Sequence, residues 1–385
     1  MTAPRGVPLR VALPCTGLGR ERRGFETFAR EVAGALRGDP RVDVTLYGGG
    51  DDVQPGESTV WNLPRASGAA RAMGAMLGRG PYFVEQATFF AGFLPRLMAT
   101  RPDVLYFADL NFGNACWHWR RLTGQRYHML FYNGGATTQP YTRCDLVQQV
   151  SPEHLDAART RGEPDGRMVL LPHGMAMPAV LPPRDEAAIG ATRRALGITD
   201  GHAMLLAVGM LDASVKRMNE LTEVVAALGE ARPHLVMLGA SSDETAAVTR
   251  LARERLGNRV TIAMWPRERM HEAYAAADAF ALLSLREGFG LAYLEAIAAG
   301  LPCVAHDNAT TRYILGDHAF LGDTTTRAIT VSLVQRALAS AGDAGARATR
   351  HAWARAHFSW DVLAPRYAEM LLACGDGRRP IGEGA

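Results

Sequence analysis

The chain has 385 residues and a formal net charge of +3, with 48% apolar and 21% charged residues. These values are typical of a globular protein of two or three domains and exclude a disordered chain. So small a charge favours no nucleic-acid partner. Of the 42 basic residues, 41 are arginine, and Lys216 is the only lysine. Lys216 is therefore either an accident of composition or a residue kept for its compact ammonium group.

The five cysteines are widely scattered, and no two are spaced as C-x-x-C. This pattern predicts reduced thiols in a cytoplasmic protein rather than a disulfide framework or a zinc site. We expect no signal peptide, because the N-terminal residues lack its apolar segment. The longest apolar run, 87–97, is interrupted by Gly92, Pro95 and Arg96, so we expect no membrane-spanning helix.

In the first half of the chain, short apolar runs alternate with segments of helical periodicity. Strands are predicted over 9–14, 42–47, 104–107, 127–132 and 146–150. A Gly-rich loop with Gly17 and Gly19 follows the first strand. Apolar positions at helical spacing then predict a helix over 25–36, and another helical stretch covers 118–122. Such alternation is typical of βαβ units with a parallel sheet.

A proline-rich segment, 171–184, is predicted to be a linker. Beyond it, strands are predicted over 203–208, 234–238, 260–264, 279–283 and 303–305. Helices are predicted over 220–228, 244–256, 270–276 and 290–299. We therefore predict an α/β chain with two facing doubly wound Rossmann-like domains and an inter-domain cleft, where ligands bind outside the carboxyl ends of the strands.

The domain boundaries follow from the same pattern. We expect a first domain over 1–180 and a second over 181–356. Residues 357–385 are predicted to form a C-terminal helix that packs back on the first domain and ends in a frayed tail.

The most informative segment is SLREGFGLAYLEAIAAGLPCVA at 284–305. A predicted strand leads into a loop that contains Glu287 and two glycines, and a helix begins there. The glycines permit close backbone approach, and the N–H groups of the first helical turn form a ready anion site. Glu295 follows Glu287 by eight residues, so different parts of one extended ligand can engage the two carboxylates.

This segment resembles the E-x7-E motif of the family 4 retaining glycosyltransferases, which have the GT-B fold. Further segments resemble the same family: VGMLDASVK at 208–216, HFSWD at 357–361 and the Gly-rich loop and helix at 16–36. DLVQQVS at 145–151 and LPHG at 171–174 are similar to two shorter family passages. The resemblance covers most of the chain and is more specific in its second half.

The resemblance implies a retaining, metal-independent hexosyltransferase. It would move a hexosyl group from a nucleotide-diphosphate sugar, its donor substrate, to an acceptor hydroxyl, without a cofactor. The acceptor could be a small molecule, a glycan or a lipid, bound by the first domain, while the second binds the nucleotide sugar. Two alternatives stay open: another GT-B activity such as a nucleotide-sugar epimerase or phosphorylase, or a catalytically weak nucleotide-sugar-binding homologue.

The resemblance also implies roles for individual residues. Lys216 would contact the diphosphate, Glu295 would hold the ribose hydroxyls, and Glu287 would bind the donor sugar beside the reacting centre. Glu287 and Lys216 are therefore the predicted catalytic residues. The other predicted donor-binding residues are Gly17, Gly19, Arg217, Gly288, Phe289, Gly290 and Leu291.

Two positions depart from the family pattern. Met210 stands where an arginine is usual, which removes a cation unless Arg217 or an arginine of the 20–23 loop replaces it. Asn133 stands where a histidine usually ends a strand of the first domain. Asparagine can bind a sugar hydroxyl but cannot carry a proton at neutral pH. His118 and His128 are the alternatives for that histidine.

The acceptor is predicted to contact Asn133 and Asp109, with the aromatic-rich stretches 109–119 and 132–141 lining its side of the cleft. The segment 65–101 carries Arg71, Arg79 and Arg96 among apolar residues. It leaves association with an anionic membrane surface open, although so few cations do not favour it. The donor's base and sugar, the acceptor and the oligomeric state are not determined by the sequence.

Overall fold

The computed structural model describes residues 7–20, 24–52, 54–135, 141–199 and 201–377. It divides into two compact units. The first unit holds the described residues up to Met175 together with those from Trp360 onward, and the second runs from Ala176 to Ser359. Helices and strands are numbered along the chain.

The first unit contains a seven-stranded, wholly parallel sheet of order β3-β2-β1-β4-β5-β6-β7. Its strands are β1 Leu9–Cys15, β2 Val42–Gly48, β3 Glu57–Thr59, β4 Val104–Phe107, β5 His128–Asn133, β6 Leu146–Gln149 and β7 Met168–Leu170. Its helices are α1 Gly24–Leu36, α2 Gly68–Met76, α3 Pro81–Thr100, α4 Leu110–Thr123, α5 Pro152–Thr160 and, at the end of the chain, α14 Trp360–Gly375.

The second unit contains a six-stranded parallel sheet of order β10-β9-β8-β11-β12-β13. Its strands are β8 Met204–Val208, β9 His234–Leu238, β10 Val260–Ala263, β11 Ala279–Leu282, β12 Cys303–His306 and β13 Phe320–Gly322. Its helices are α6 Glu186–Ala195, α7 Met218–Ala226, α8 Thr245–Leu256, α9 Met270–Ala276, α10 Leu291–Ala298, α11 Ala309–Leu315, α12 Arg327–Ala339 and α13 Ala344–Phe358.

Both sheets have the doubly wound strand order, in which the first strand of the unit lies beside the fourth. The predicted α/β class with two Rossmann-like sheets is therefore confirmed. The proline-rich segment 171–184 contains no helix or strand segment. All five cysteines are buried and free.

Helix α3 continues through two residues that interrupt the apolar run in the sequence. Gly92 lets the helix pass close to a neighbouring loop, since a Cβ there would lie 2.3 Å from the carbonyl oxygen of Trp61. Pro95 costs the helix one backbone hydrogen bond. Buried Phe89, Phe93 and Leu97 hold α3 in the core regardless. Within the described ranges, no helix is long and apolar enough to cross a membrane.

Helix α14 is attached to the first unit by a buried polar network. Tyr367 on α14 donates to the carbonyl oxygen of Pro172 at 2.7 Å and accepts a hydrogen bond from Gln148 Nε2 at 2.8 Å. Gln148, on β6, in turn accepts a hydrogen bond from the Tyr106 hydroxyl of β4. Buried polar groups are costly unless paired, so these bonds specify where α14 docks.

His173 lies beside this network and is 4% exposed. One ring nitrogen contacts the hydroxyl of Tyr132, and the ring packs edge-on to Phe28 with centroids 4.8 Å apart. Burial disfavours the charged imidazolium and lowers the pKa of His173 to about 3. The folded protein therefore keeps this ring neutral across the physiological range.

His173 is expected to make the protein acid-sensitive. Above the unfolded-state pKa of 6.5 it contributes no pH dependence. As the pH falls from 6.5 to about 3, only the unfolded state takes up this proton, so the free energy of unfolding falls by up to about 1.4 kcal/mol per pH unit. Urea unfolding of His173→Asn, followed by circular dichroism across this pH window, should show a shallower decline. His118→Asn, on the surface of α4, is the control. A decline of equal slope in wild type and His173→Asn contradicts the assignment.

Candidate functional site

The second sheet has its topological switch point between β8 and β11. These strands are parallel neighbours although they lie 70 residues apart in sequence, with Leu206 opposite Phe280. Connections leave the carboxyl ends of the two strands and diverge there, which is where ligands bind in doubly wound sheets. The loop after β8 carries Lys216, and the loop after β11 carries Glu287.

Lys216 and Glu287 meet at this switch point in a bidentate ion pair. Lys216 Nζ lies 2.6 Å from Glu287 Oε1 and 2.8 Å from Oε2. The two side chains are only 19% and 11% exposed. A pair so shielded from water interacts more strongly than a surface pair, and each charge depends on the other for compensation.

Two glycines make room for the lysine. A Cβ on Gly209 would come within 3.1 Å of Lys216 Cε, so the aliphatic stem lies directly over the glycine backbone. A Cβ on Gly239, at the end of the neighbouring β9, would lie 1.7 Å from the carbonyl oxygen of Gly209. The close approach of these two backbones places the stem at the carboxyl edge of the sheet.

Two carboxylates hold the loop that carries Lys216. Asp212 Oδ1 accepts hydrogen bonds from the backbone N–H groups of Val215 at 2.9 Å and Lys216 at 2.6 Å. Glu244 Oε2 accepts from Ala213 N at 2.6 Å and from the next N–H at 2.9 Å. These backbone donors lower the pKa of Glu244 and keep it ionised. The backbone of Lys216 is thus held in place independently of the contacts of its side chain.

Arg217 anchors the same loop from the other side. It has a left-handed backbone conformation, with φ of 54°. Its Nη1 donates to the carbonyl oxygen of Leu283 at 3.2 Å and to that of Thr324 at 3.2 Å. The guanidinium therefore ties the loop to the end of β11 and to the segment after β13. Met210, in the same loop, is half-exposed.

The loop after β11 turns sharply into α10. Gly290 has φ of 95°, which an L side chain rarely adopts, and α10 begins at Leu291. The first-turn N–H groups of a helix lack intrahelical acceptors, so this turn can receive an anion. Phe289 is 3% exposed, its ring beside that of Phe358, and Gly288 before it is half-buried.

Glu295 lies on α10 and is held by a residue that the sequence analysis missed. The hydroxyl of Tyr274, on α9, donates to Glu295 Oε2 at 2.7 Å. Burial raises the pKa of Glu295, while the bond from Tyr274 and the nearby positive charge of Arg267 oppose that rise. No spacing signal links Tyr274 to Glu295, because the two residues lie 21 positions apart on different helices.

The first unit has a second polar group at the corresponding switch point, between β1 and β4. Thr16 Oγ1 donates to Asp109 Oδ2 at 2.6 Å, and the Tyr82 hydroxyl donates to Oδ1. Asp109 is 8% exposed. Arg20 of the Gly-rich loop donates to the side chain of Asn62. The cluster offers hydroxyl, carboxylate and guanidinium groups at one sheet edge.

The glycines of the loop after β1 pack against other parts of the first unit. Gly19 has φ of 82°, and a Cβ there would lie 3.0 Å from the carbonyl oxygen of Asp52. Gly50, after β2, comes so close to Gly19 that a Cβ on Gly50 would lie 2.2 Å from the Gly19 carbonyl carbon. Gly17 accepts a backbone hydrogen bond from Arg20 at 3.1 Å. The loop is folded against the end of β2.

Asn133 ends β5, as the sequence predicted, but its amide is engaged inside the unit. Asn133 Nδ2 donates to the Tyr141 hydroxyl at 2.8 Å and to Gln149 Oε1 at 2.8 Å, and the residue is 2% exposed. Of the two alternatives, His118 is exposed on α4, and His128 opens β5 at its amino end. Neither histidine lies at the carboxyl edge of the sheet.

No group of three or more histidine, cysteine, aspartate or glutamate side chains that could hold a metal ion occurs in the part of the chain that the structure describes. The loop residues 21–23, which the sequence analysis considered as a source of a compensating cation, lie outside the described residues, as do residues 136–140 of the aromatic-rich stretch.

Residues 202–339 match the family model described as glycosyl transferases group 1. Over 253 residues the chain is 30% identical to a D-inositol 3-phosphate glycosyltransferase of Xylanimonas cellulosilytica. That match takes in 61% of this chain and 58% of the relative, so the chain spans less than two thirds of the length of that curated relative.

Solved structures show the same fold. Sucrose-phosphate synthase from Thermosynechococcus elongatus is 19% identical, with a TM-score of 0.75 over 94% of this chain and 98% of the other. Anabaena HepE in complex with UDP and glucose is 15% identical, with a TM-score of 0.72 over 95% of this chain and 100% of the other. The family match and these neighbours together support a glycosyltransferase of GT-B type.

The ion pair is expected to be energetically coupled. Lys216→Met and Glu287→Gln should each lower the free energy of unfolding by roughly 2–4 kcal/mol. The first leaves the shielded carboxylate of Glu287 without a counter-charge, and the second leaves the ammonium of Lys216 without one. The double variant should lose less than the sum, by at least about 1 kcal/mol. Urea unfolding of the three variants measures this. The exposed Arg159–Asp165 pair, at 2.7 Å, is a matched control in which the coupling should be smaller. Strictly additive losses at Lys216 and Glu287 contradict the prediction.

Proposed function

We propose that this chain is a retaining glycosyltransferase that moves a hexosyl group from a nucleotide-diphosphate sugar to an acceptor hydroxyl. The observation that carries the proposal is the Lys216–Glu287 pair at the switch point of the second sheet. It puts a cation suited to a diphosphate beside a carboxylate suited to a sugar hydroxyl. The match to the group 1 glycosyltransferase model, over 202–339, includes both residues.

The proposed donor site uses the E-x7-E motif of family 4. Lys216 contacts the diphosphate with an ammonium that carries three N–H donors. The backbone N–H groups at the start of α10, from Phe289 to Leu291, hold further phosphate and sugar oxygens. Glu295, oriented by Tyr274, accepts hydrogen bonds from the ribose hydroxyls.

The proposed chemistry follows from charge. The bond between the anomeric carbon and the phosphate oxygen breaks, and its electron pair leaves with the nucleoside diphosphate. Lys216 and the α10 turn face the negative charge that grows there. Glu287 lies beside the sugar, where a carboxylate stabilises oxocarbenium character at the anomeric carbon. The acceptor oxygen bonds to that carbon on the face the leaving group departs from, and its proton passes to a diphosphate oxygen.

In this proposal the stabilising positive charge comes from the protein, and the reaction needs neither a bound metal nor a cofactor. Arg217 adds its guanidinium charge to the region while its Nη1 anchors the loop. Through that charge it compensates in part for Met210, which is half-exposed and uncharged.

The proposed acceptor site is the polar edge of the first unit. Asp109, with Thr16 and Tyr82, presents a carboxylate network of the kind that positions a hydroxyl nucleophile. Asn133 supports that edge from inside rather than by direct contact, since its Nδ2 donates to Tyr141 and Gln149 within the unit. The curated relative is named for D-inositol 3-phosphate, so a polyol phosphate is the first acceptor class to test.

A second candidate is a homologue that binds nucleotide sugars but transfers slowly. It is favoured by the uncharged Met210 and by the absence of a histidine at the end of β5, where Asn133 stands. The two candidates differ in one measurement. Nucleotide binding with no transfer or donor hydrolysis supports the second.

Glu287 and Glu295 are expected to separate turnover from binding. Glu287→Ala should lower kcat by roughly 100-fold while UDP still binds, because its role is at the sugar. Glu295→Ala should weaken nucleotide binding by roughly 10- to 100-fold, as loss of a charged hydrogen bond predicts. Calorimetric titration with UDP and assays of UDP release from UDP-glucose, with GDP, ADP and dTDP sugars as further donors, measure both.

Glu272→Ala is the matched control for these variants, since Glu272 pairs with Arg269 on the surface of α9. It should change neither quantity. If both site variants keep wild-type transfer, the site assignment is wrong.

Lys216→Arg is expected to lower kcat/KM for the donor at least about tenfold although charge is kept. The stem lies against Gly209, and a planar guanidinium fork cannot take the place of a point charge packed so closely. Steady-state assays with varied donor measure the effect. Arg327→Lys, at an exposed pair with Glu220, is the matched control and should be silent. Unchanged donor kinetics in Lys216→Arg would mean that the single lysine is an accident of composition.

A further inference from the structure

His351, on α13, has both of its ring nitrogens against backbone carbonyl oxygens. Nδ1 lies 2.6 Å from the carbonyl oxygen of Ala298, the last residue of α10, and Nε2 lies 3.0 Å from that of Pro178 in the proline-rich segment. His351 is 3% exposed. A carbonyl oxygen can only accept a hydrogen bond, and a neutral imidazole has one N–H to donate. The two contacts together therefore require the doubly protonated imidazolium.

The contact with His351 completes the carboxyl end of α10, whose last carbonyl groups lack partners within the helix. The N–H of Gly300 donates to the carbonyl oxygen of Ile297 at 2.9 Å. The carbonyl oxygen of Ala298 is bonded by His351 instead. That of Gly300 accepts a hydrogen bond from Arg350 Nη1, on α13, at 3.3 Å. Side chains of α13 therefore cap α10 with positive charge.

The elements around His351 offer it no carboxylate. Helix α13 contains no acidic residue, and the only one on α10, Glu295, is bonded to Tyr274. Asp343 and Asp185 accept backbone hydrogen bonds at the first turns of α13 and α6. Within the described ranges, no acidic side chain pairs with His351. The other charged or titratable groups on the neighbouring elements are Arg184, Asp317, His318, Arg347, Arg350 and Arg355.

The short length of α10 links this cap to the candidate donor site. The helix has 8 residues, so its two ends lie only about 12 Å apart. Its first turn is the candidate anion site and carries partial positive charge, while its last turn carries partial negative charge that repels an anion. A cation at the last turn offsets that repulsion. Glu295 lies on the same helix, one turn before the capped carbonyl of Ala298.

We infer that His351 is held as an imidazolium that caps α10, and that through this helix it is a positioning residue for a nucleoside diphosphate donor. The role in donor binding rests on the proposed function, whereas the charged cap does not. Donor affinity should therefore fall as the pH rises and the ring loses its second proton, because a neutral ring can keep only one of the two hydrogen bonds.

Nitrogen-15 NMR of the histidine rings tests the cap without a ligand. The two nitrogens of an imidazolium have similar chemical shifts, whereas those of a neutral ring differ widely. The ring of His351, assigned through its own backbone, should show the imidazolium pattern at pH 6.5. His173 is the matched reference, since burial lowers its pKa to about 3 and it should show the neutral pattern in the same sample. A neutral pattern for His351 overturns the inference.

Calorimetric titration with UDP-glucose from pH 6 to pH 8.5 tests the role in donor binding. The diphosphate of UDP-glucose keeps a constant charge over this range. Wild type should lose affinity about two- to fivefold as the pH rises. His351→Gln keeps two N–H donors without the charge, so it should bind like wild type at pH 8.5 and show no such loss. Any contribution from Glu295, whose pKa burial raises, is common to both proteins and cancels in the comparison.

His357→Gln, on the exposed side of α13, is the matched control and should keep the wild-type pH profile. The same profile in wild type and His351→Gln overturns the role in donor binding. If His351→Gln does not fold, a pH-independent affinity in wild type has the same meaning. No binding of UDP-glucose by wild type at any pH would overturn the proposed function and this role with it, and the ring signal of His351 would then decide the cap alone.

Discussion

The Lys216–Glu287 pair exists because β8 and β11 are parallel neighbours. Seventy-one residues separate the two side chains in sequence, and only the crossing of the sheet at its switch point brings their loops together. The arrangement then depends on backbone fit: the lysine stem lies on Gly209, whose carbonyl reaches Gly239. The rest of the candidate donor site, including the turn into α10 and Glu295, is placed relative to this pair by the same sheet.

Each unit places a polar pair at the switch point of its sheet, and the two pairs differ in chemistry. In the second unit a cation meets a carboxylate. In the first unit a hydroxyl meets a carboxylate, Thr16 with Asp109. A permanent cation suits a phosphate-bearing ligand, whereas a hydroxyl and carboxylate suit a neutral polyol. This difference agrees with the proposed assignment of donor to the second unit and acceptor to the first.

Carboxylates and buried rings stabilise the loops and helices around both sites. Glu244 and Asp212 satisfy backbone N–H groups of the lysine loop, so their charge fixes that loop. In the first unit, the Tyr367–Gln148 bond positions α14, and neutral His173 is buried beside that network.

The sequence by itself determined the α/β class, the strands and helices with strong local periodicity, and the two glutamates and the lysine as candidates. Periodicity and glycine placement are local properties, so they can be read along the chain. It also placed Asn133 correctly at the end of a strand. Only the tertiary structure decided that Asn133 bonds inward and that Tyr274 orients Glu295. Those outcomes depend on which distant elements pack together, because burial and hydrogen-bond partners are set by neighbours in space rather than in sequence.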